Sequence, residues 1–226
     1  MATPKNALLE AYVDRDEWYV ERCRGRRVLH LGCVGFTDAC VEDKIRLARQ
    51  SLHQKLTEVC DCTGIDLDAA SIEQLRAAKI FSNVLVGDVE RLAEVAGKLP
   101  PFDLVVAGDI IEHLSNPGLM LDGVRAVLKP GGSLLVSTPN ALGLPAFLRH
   151  TRGAFREGNQ HTLSFNAITL AQLFERHGYN VGKAMTCHQQ FAKNRNAVVF
   201  KLGTAFFRSF PKFGGTLLFE ARMAQG

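Results

Sequence analysis

The chain has 226 residues, of which 46% are hydrophobic, and carries 27 Lys and Arg against 23 Asp and Glu. These values are ordinary for a globular protein with a sizeable core, and they exclude an intrinsically disordered chain. No apolar run approaches the roughly 18 residues that cross a bilayer, and the first residues lack the apolar stretch of a secretory signal, so we expect a cytoplasmic protein.

The first predicted element is an amphipathic helix over residues 6–23, inside an N-terminal segment 1–25. Apolar residues recur there among charged ones at helical spacing, and Gly25 supplies a stop signal.

From residue 28 onward, short apolar runs alternate with segments of helical spacing. The runs cover 28–31, 63–67, 84–86, 104–106 and 134–136. The long segment 36–61 predicts an extended or broken first helix. Strands that are apolar on both faces and separated by helices form a parallel sheet covered on both sides. The pattern therefore predicts a doubly wound α/β fold.

After residue 140 the alternation loosens. We predict a helix over 167–177, a strand over 180–186, an apolar and basic helix over 197–210, and a last strand over 216–220. The last strand is expected to be antiparallel, which gives a mostly parallel sheet of seven strands. The whole chain, 1–226, is read as a single domain.

A pair of glycines, Gly32 and Gly35, follows the first strand of this sheet. Ligands of open α/β sheets bind beyond the carboxyl ends of the strands, where the first turn exposes backbone N–H groups and glycine permits close approach. The dinucleotide fingerprint G-x-G-x-x-G needs further glycines, but Val34 lies between this pair and no third glycine follows. A pyrophosphate would fit this turn poorly.

Carboxylates end two further strands, at Asp66 and Asp88. The two oxygens of Asp66 can accept hydrogen bonds from both hydroxyls of a ribose, and Asp88 lies at the height of an adenine. Each aspartate could instead cap the helix that follows it, although Asp68 is the better cap after the second strand. Their joint placement favours a nucleoside ligand.

Six stretches resemble, in order, the motifs of class I S-adenosylmethionine-dependent methyltransferases, over about residues 26–186. They are "VLHLGCVGF", "GIDLD", "VGDVE", "FDLVVAGDIIEHLSNPG", "LKPGGSLLVSTPN" and "HTLSFNAITLAQLFERHGY". The likeness is greatest to the branch that contains ubiquinone-type O-methyltransferases and the methyltransferases of glycan and natural-product clusters. It implies a Rossmann-like methyltransferase fold and S-adenosylmethionine as the cofactor.

The resemblance also implies a cofactor side within residues 26–140. The turn after the first strand would lie under the methionine part, the acidic end of the second strand would hold the ribose, the end of the third would flank the adenine, and the end of the fourth would lie beside the amino acid end. The residues concerned are Gly32, Cys33, Gly35, Asp66, Leu67, Asp88, Val89 and Asp109.

Two positions depart from the family pattern. His30 stands where an acidic residue is usual, and Val34 stands where glycine is usual. We therefore expect the amino group of the cofactor to find a different acceptor, and Gly35 to shape the turn.

Two histidines are candidate catalytic residues. A sulfonium methyl is already activated, so the enzyme mainly aligns the reactants, and a base that takes the proton of a hydroxyl acceptor adds roughly 10²- to 10⁴-fold. His113 follows Glu112 just beyond the fourth strand, and His161 begins the segment that should cover the acceptor. Each histidine could instead stabilise its own loop. The cysteines and histidines show no metal-site spacing, so no metal is expected.

The last third of the chain is markedly basic. Residues 141–226 carry 11 Lys and Arg against 3 Asp and Glu, whereas residues 1–140 carry 16 against 20. This acceptor-side half mixes cations with apolar residues around Arg149, Arg152 and Arg156 and again around Arg208, which suits an anionic lipid-linked acceptor, an acyl carrier chain or peripheral contact with a membrane. A lid helix with solvated charges is the alternative, and no nucleic-acid-binding motif is present.

The sequence thus predicts a methyltransferase that acts on a small-molecule, sugar or lipid-linked acceptor, at oxygen, with histidine-assisted deprotonation. Two rival hypotheses remain: an NAD-dependent oxidoreductase, which shares the opening turn, and a non-catalytic methyltransferase-like binding protein that acts through its basic C-terminal third.

Overall fold

A computed structural model describes residues 9–35, 40–153, 160–187 and 197–224. The strands are β1 (Tyr12–Val13), β2 (Arg27–Leu31), β3 (Asp61–Asp66), β4 (Val84–Val86), β5 (Phe102–Gly108), β6 (Leu128–Pro139), β7 (Tyr179–Cys187) and β8 (Thr216–Met223). The α-helices are α1 (Arg15–Cys23), α2 (Val41–Ala48), α3 (Leu52–Thr57), α4 (Ala69–Ala77), α5 (Leu92–Val95), α6 (Pro117–Val127), α7 (Leu144–Thr151), α8 (Ala167–Arg176) and α9 (Ala197–Ser209).

The eight strands form one sheet in the order β1-β7-β8-β6-β5-β2-β3-β4. Strands β2 to β6 pair in parallel, and β8 runs antiparallel between β6 and β7. The strand order reverses at β2 and β5, so a crevice is expected beyond their carboxyl ends. The mostly parallel α/β sheet with an antiparallel last strand is confirmed.

The core lies on both faces of the sheet. Successive residues of β5 show this, because Val105 packs in one apolar cluster while Leu104 and Val106 pack in another on the opposite face. All three side chains are at most 1% exposed. A parallel strand buried on both faces needs such a continuous apolar run.

The N-terminal prediction was wrong. Tyr12–Val13 form the short strand β1 on the edge of β7, and a helix begins only at Arg15. The Asp14 carboxylate accepts hydrogen bonds from the N–H groups of Asp16 and Glu17, and this N-cap fixes where the helix starts. Residues 6–8 of the predicted helix lie outside the described residues, and β1 raises the strand number from seven to eight.

Most other elements lie close to their predicted positions, but α7 was not predicted and β6 extends well beyond the predicted 134–136. The segment after β2 contains a broken helix, α2 followed by α3, and α9 ends at Ser209. Asp68 caps α4 by accepting a hydrogen bond from the Ser71 N–H at 3.0 Å, as predicted. Within the part of the chain that the structure describes, no helix combines the length and apolar character needed to cross a membrane.

Candidate functional site

The turn after β2 contains two glycines, Gly32 and Gly35, whose backbone faces the crevice without a side chain. Gly32 and Gly35 both have φ of +65°, a left-handed conformation that favours glycine. A Cβ on Gly32 would clash with the side chain of Ile110, whereas a Cβ on Gly35 would meet nothing within 4 Å. Glycine is therefore favoured at position 32 by its positive φ and by the contact with Ile110, and the backbone at Gly35 is open to an approaching group.

Asp66 joins this turn to the next one. Its Oδ2 accepts a hydrogen bond from the Val34 N–H at 2.8 Å, and its Oδ1 accepts one from the Asp68 N–H at 3.0 Å. The residue is 9% exposed. Each carboxylate oxygen has a second lone pair, so the contacts leave capacity for ribose hydroxyls. The ribose role stays a prediction, and positioning of the first turn is an additional role.

The side chains of Cys33 and Val34 point into the core, at 4% and 0% exposure. A Cβ on Gly64 would lie 2.5 Å from the Cys33 sulfur, so this thiol packs against β3. Only the backbone of these two residues is therefore offered to a ligand. Among the described residues, positive φ outside glycine occurs at Lys79, Asp109 and Gln160, so Val34 needs no glycine-like conformation.

Of the residues predicted to flank an adenine, Leu67 and Asp88 are exposed and Val89 is buried. Leu67 is 71% exposed beyond β3, where its apolar side chain is available to a base. The Asp88 carboxylate accepts a hydrogen bond from the Glu90 N–H at 2.9 Å and so caps the short turn after β4. Val89 is buried. The capping alternative for Asp88 is thus confirmed, and contact of Leu67, Asp88 and Val89 with an adenine stays a prediction.

Asp109 lies at the carboxyl end of β5 in a strained conformation, with φ of +51°. Such strain concentrates at functional sites because the surrounding structure must enforce it. The Ser137 hydroxyl donates to Oδ1 of Asp109 at 2.8 Å, and the guanidinium of Arg15, on α1, forms an ion pair with the other oxygen. A cation and a carboxylate therefore lie side by side at this end of the crevice.

Arg15 was missed by the sequence reasoning. It lies in the segment interpreted as a plain amphipathic helix, and its side chain is 16% exposed only because α1 packs beside the end of β5. No spacing in the sequence connects it with Asp109.

His30 is a buried neutral residue. It is 4% exposed, and its Nδ1 lies 3.3 Å from Nδ1 of His53. Burial lowers the pKa of both imidazoles, that of His53 to about 4. A hydrogen bond between the two neutral rings requires that one Nδ1 carries the proton. Position 30 therefore supplies no acidic group, in line with the expectation that the cofactor amino group has another acceptor.

The two candidate histidines lie together. The rings of His113 and His161 are 4.7 Å apart between centroids and nearly perpendicular. Nδ1 of His113 lies 3.2 Å from the carbonyl oxygen of Gln160, and because a carbonyl only accepts, Nδ1 carries the hydrogen. Nε2 of the neutral ring is then unprotonated. Burial, and next the neighbouring His161, lower the pKa of His113, which keeps the ring neutral.

Glu112 is a third member of this cluster, which sequence reasoning did not select. The residue is 1% exposed, and its Oε2 accepts a hydrogen bond from the Thr138 hydroxyl at 2.9 Å. Its Oε1 lies 3.9 Å from Nε2 of His161. Burial, and next the charge of Asp109, raise the pKa of Glu112 to about 7. Perturbed carboxyl groups beside histidines are typical of functional sites.

Backbone hydrogen bonds hold the cluster in place. The N–H groups of Thr162 and Leu163 donate to the carbonyl oxygen of Glu112 at 2.9 and 3.1 Å. The Thr162 hydroxyl donates to the carbonyl oxygen of Leu114 at 3.0 Å. These contacts tie the segment after residue 160 to the turn after β5, which explains how side chains almost 50 residues apart meet.

Glu112, His113 and His161 could also hold a metal ion. One ligand atom from each lies within 4.8 Å of the others. A carboxylate and two imidazoles form a ligand set that suits divalent first-row metals. A cavity of about 20 Å³ adjoins the cluster, lined among others by Glu112, Thr138, Arg149 and His161.

The fold and the crevice define a class of protein, and comparison with known proteins identifies it. The model of the methyltransferase domain family matches residues 24–184. The chain therefore belongs to the methyltransferase domain family, and S-adenosylmethionine is the cofactor of this class, as the sequence predicted.

Particular relatives agree with this assignment. A "Probable S-adenosylmethionine-dependent methyltransferase" of Mycolicibacterium smegmatis is 31% identical over 71% of this chain and 54% of that protein. A ubiquinone biosynthesis O-methyltransferase of Xylella fastidiosa is 33% identical over 58% of this chain and 48% of that protein. The chain thus spans about half the length of these relatives. The fold of a SAM-dependent methyltransferase from Archaeoglobus fulgidus is similar, with a TM-score of 0.57 at 16% identity, covering 92% and 90% of the two chains.

Proposed function

We propose that this protein transfers the methyl group of S-adenosylmethionine to a hydroxyl oxygen of a small-molecule, sugar or lipid-linked acceptor. The observation that carries the proposal is the cluster of Glu112, His113 and His161 beside Asp109 at the carboxyl end of β5. Similarity to ubiquinone biosynthesis O-methyltransferases supports oxygen as the methylated atom.

The residues of the crevice suit the cofactor. The open backbone at Gly35 admits close approach, and the remaining lone pairs of Asp66 suit the ribose hydroxyls. Asp109 and Arg15 present opposite charges side by side, which matches the ammonium and carboxylate groups of an amino acid end. Bound S-adenosylmethionine supplies a methyl group on a positively charged sulfur, activated for direct displacement.

The histidine cluster would take the proton of the acceptor. Nε2 of His113 is the unprotonated nitrogen of a ring whose orientation is fixed by the Gln160 carbonyl. His161 lies against this ring, and a carboxylate oxygen of Glu112 lies within 4.8 Å of a ring nitrogen of His113, close enough for an ionised Glu112 to stabilise the imidazolium that forms there. Nε2 of His113 would accept the proton of the acceptor hydroxyl, which would make its oxygen a better nucleophile towards the activated methyl group.

The proximity of the three ligand atoms favours a second candidate for the deprotonation step. A divalent cation held by Glu112, His113 and His161 would lower the pKa of a coordinated hydroxyl. Turnover that persists in a chelator supports the histidine base. Turnover that is lost in the chelator and restored by Mg²⁺, Mn²⁺ or Zn²⁺ supports the metal.

The test combines labelling with a matched pair of variants. The protein is incubated with methyl-labelled S-adenosylmethionine and an extract of metabolites and lipids, and the labelled product is isolated and its methylated atom identified. We expect a methyl ether, with turnover reduced roughly 10²- to 10⁴-fold in His113→Ala and affinity for S-adenosylhomocysteine unchanged.

His177→Ala is the control, because His177 is a partly exposed histidine that pairs with Asp122 on another part of the surface. Equal turnover in the two variants would remove His113 from the mechanism, and label on nitrogen or carbon would contradict O-methylation.

A further inference from the structure

Helix α9 exposes an apolar stripe. Leu202 and Phe206 of α9, and Phe210 directly after its last residue, follow one another at intervals of four residues and are 68%, 40% and 48% exposed. Residues at this spacing share one helix face. Three large apolar side chains are therefore presented together to the outside.

An adjoining side of α9 anchors it to the sheet. Phe207 is 8% exposed, and its ring stacks on that of Tyr12 in β1 with 5.6 Å between centroids. The rings of Phe206 and Phe213 also stack, 6.1 Å apart. The helix thus has a packed face at Phe207, and the exposed stripe adjoins it, because the Phe206 ring contacts those of Phe207 and Phe213 while staying 40% exposed.

Cations lie on another exposed face of α9. Lys201 and Arg208 are exposed and lie two helical turns apart, so they share a face roughly 100° around the helix axis from Leu202. Lys212 follows, with its Nζ 5.3 Å from the ring of Phe213. The sequence contains no Asp or Glu between residues 197 and 215. The surface of this segment therefore combines aromatic and aliphatic side chains with positive charge alone.

Helix α7 extends this surface. Leu142 and Phe147 are 69% and 60% exposed, and Arg152 is exposed nearby; the predicted cations and aromatics at Arg156 and Phe155 lie outside the described residues. The Asn140 side chain donates to the carbonyl oxygen of Gly214 at 2.9 Å, which joins the start of α7 to the chain just after α9.

The same helix borders the candidate catalytic cluster. Ala146 and Arg149 of α7 line the small cavity that Glu112 and His161 also line. Both helices lie beyond the carboxyl ends of the parallel strands, which is the edge that carries the crevice. The exposed apolar and basic surface thus lies around the acceptor side of the site.

We propose that the exposed faces of α9 and α7 dock on an anionic lipid bilayer. An interfacial helix combines an apolar stripe that enters the headgroup region with cations that bind anionic lipids, and α9 has both. Each Lys or Arg near such a surface contributes about fivefold to binding. Docking in this orientation turns the acceptor side towards the lipid, from which an acceptor with an apolar tail can reach the cluster. Docking itself does not depend on the proposed reaction.

The experiment measures co-sedimentation of the full chain with vesicles of phosphatidylcholine alone or with 40% phosphatidylglycerol. We expect binding to the anionic vesicles, at least tenfold weaker binding to the neutral ones, and loss of binding at high salt. The double variant Lys201→Glu/Arg208→Glu should bind the anionic vesicles at least tenfold more weakly than the unaltered chain. The double variant Leu202→Ser/Phe206→Ser should show a loss of the same size.

Two control variants lie elsewhere. Arg24→Glu changes an exposed cation just before β2, at the opposite edge of the sheet, and Leu47→Ser changes an exposed apolar residue on α2. Both should bind vesicles like the unaltered chain, and all variants should retain S-adenosylhomocysteine binding, which shows that they fold. Absence of vesicle binding by the unaltered chain, equal losses in the controls, or self-association through the stripe in place of vesicle binding would overturn the proposal.

Discussion

Replacing Glu112 by glutamine should stabilise the protein at high pH. Burial raises the pKa of this carboxyl group to about 7 from its ordinary value of 4.5. Between these pH values the folded protein holds a proton that the unfolded chain releases. The free energy of unfolding therefore falls as the pH rises from about 4.5 to 7, and it remains at the lower value above pH 7. A difference of this size corresponds to about 3 kcal/mol at most.

The glutamine retains the acceptor for the Thr138 hydroxyl without the buried charge. Urea unfolding at pH 5 and pH 8, with a chelator present to exclude metal effects, measures the difference. We expect Glu112→Gln to match the unaltered protein at pH 5 and to exceed it by up to about 3 kcal/mol at pH 8. Glu94→Gln, at a fully exposed carboxylate paired with Arg91, is the control and should change neither value. If Glu112→Gln showed the same pH dependence as the unaltered chain, the reasoning on its burial would be refuted.

Three further predictions concern the cofactor side. Gly32→Ala should lower the free energy of unfolding by about 1–3 kcal/mol in urea titrations, because of its positive φ and its close packing, whereas Gly97→Ala, at an open position, should not. The His30 and His53 imidazoles should remain neutral at pH 5.5 in nitrogen-15 NMR spectra, since burial lowers both pKa values; titration near 6.5 in the folded protein would contradict this. Arg15→Met should weaken S-adenosylhomocysteine binding about 10- to 100-fold by calorimetry, as expected when one charge-assisted hydrogen bond is lost, and an unchanged affinity would exclude Arg15 from the cofactor site.

The sheet could be predicted because its signal is local. Buried parallel strands need continuous apolar runs, so β4 was predicted at its exact bounds, 84–86, and β5 within a longer strand. The strand β1 could not be predicted in this way, because two residues pair with β7 only through a contact with the far end of the chain. Asp14 is a favoured N-cap residue and could have indicated a helix start at Arg15, but the apolar spacing of residues 6–23 favoured an earlier start.

The positions of several candidate site residues could be predicted because these residues follow strands. Carboxyl ends of parallel strands meet at one edge, which places Gly32, Asp66 and Asp109 around one crevice. The partners of these residues depend on tertiary packing: Arg15 reaches Asp109 from α1, and Glu112 meets His161 only because the segment after residue 160 is hydrogen-bonded to the turn after β5. No spacing in the sequence encodes those contacts.

The most direct test of whether the crevice binds a methyl donor is calorimetric titration with S-adenosylhomocysteine and, separately, with NADH. Carboxylates at the ends of β3 and β5 and a turn without a third glycine should give saturable binding of S-adenosylhomocysteine at one site per chain and no binding of NADH. Binding of NADH alone would instead identify an oxidoreductase and contradict the assignment of the crevice to a methyl donor.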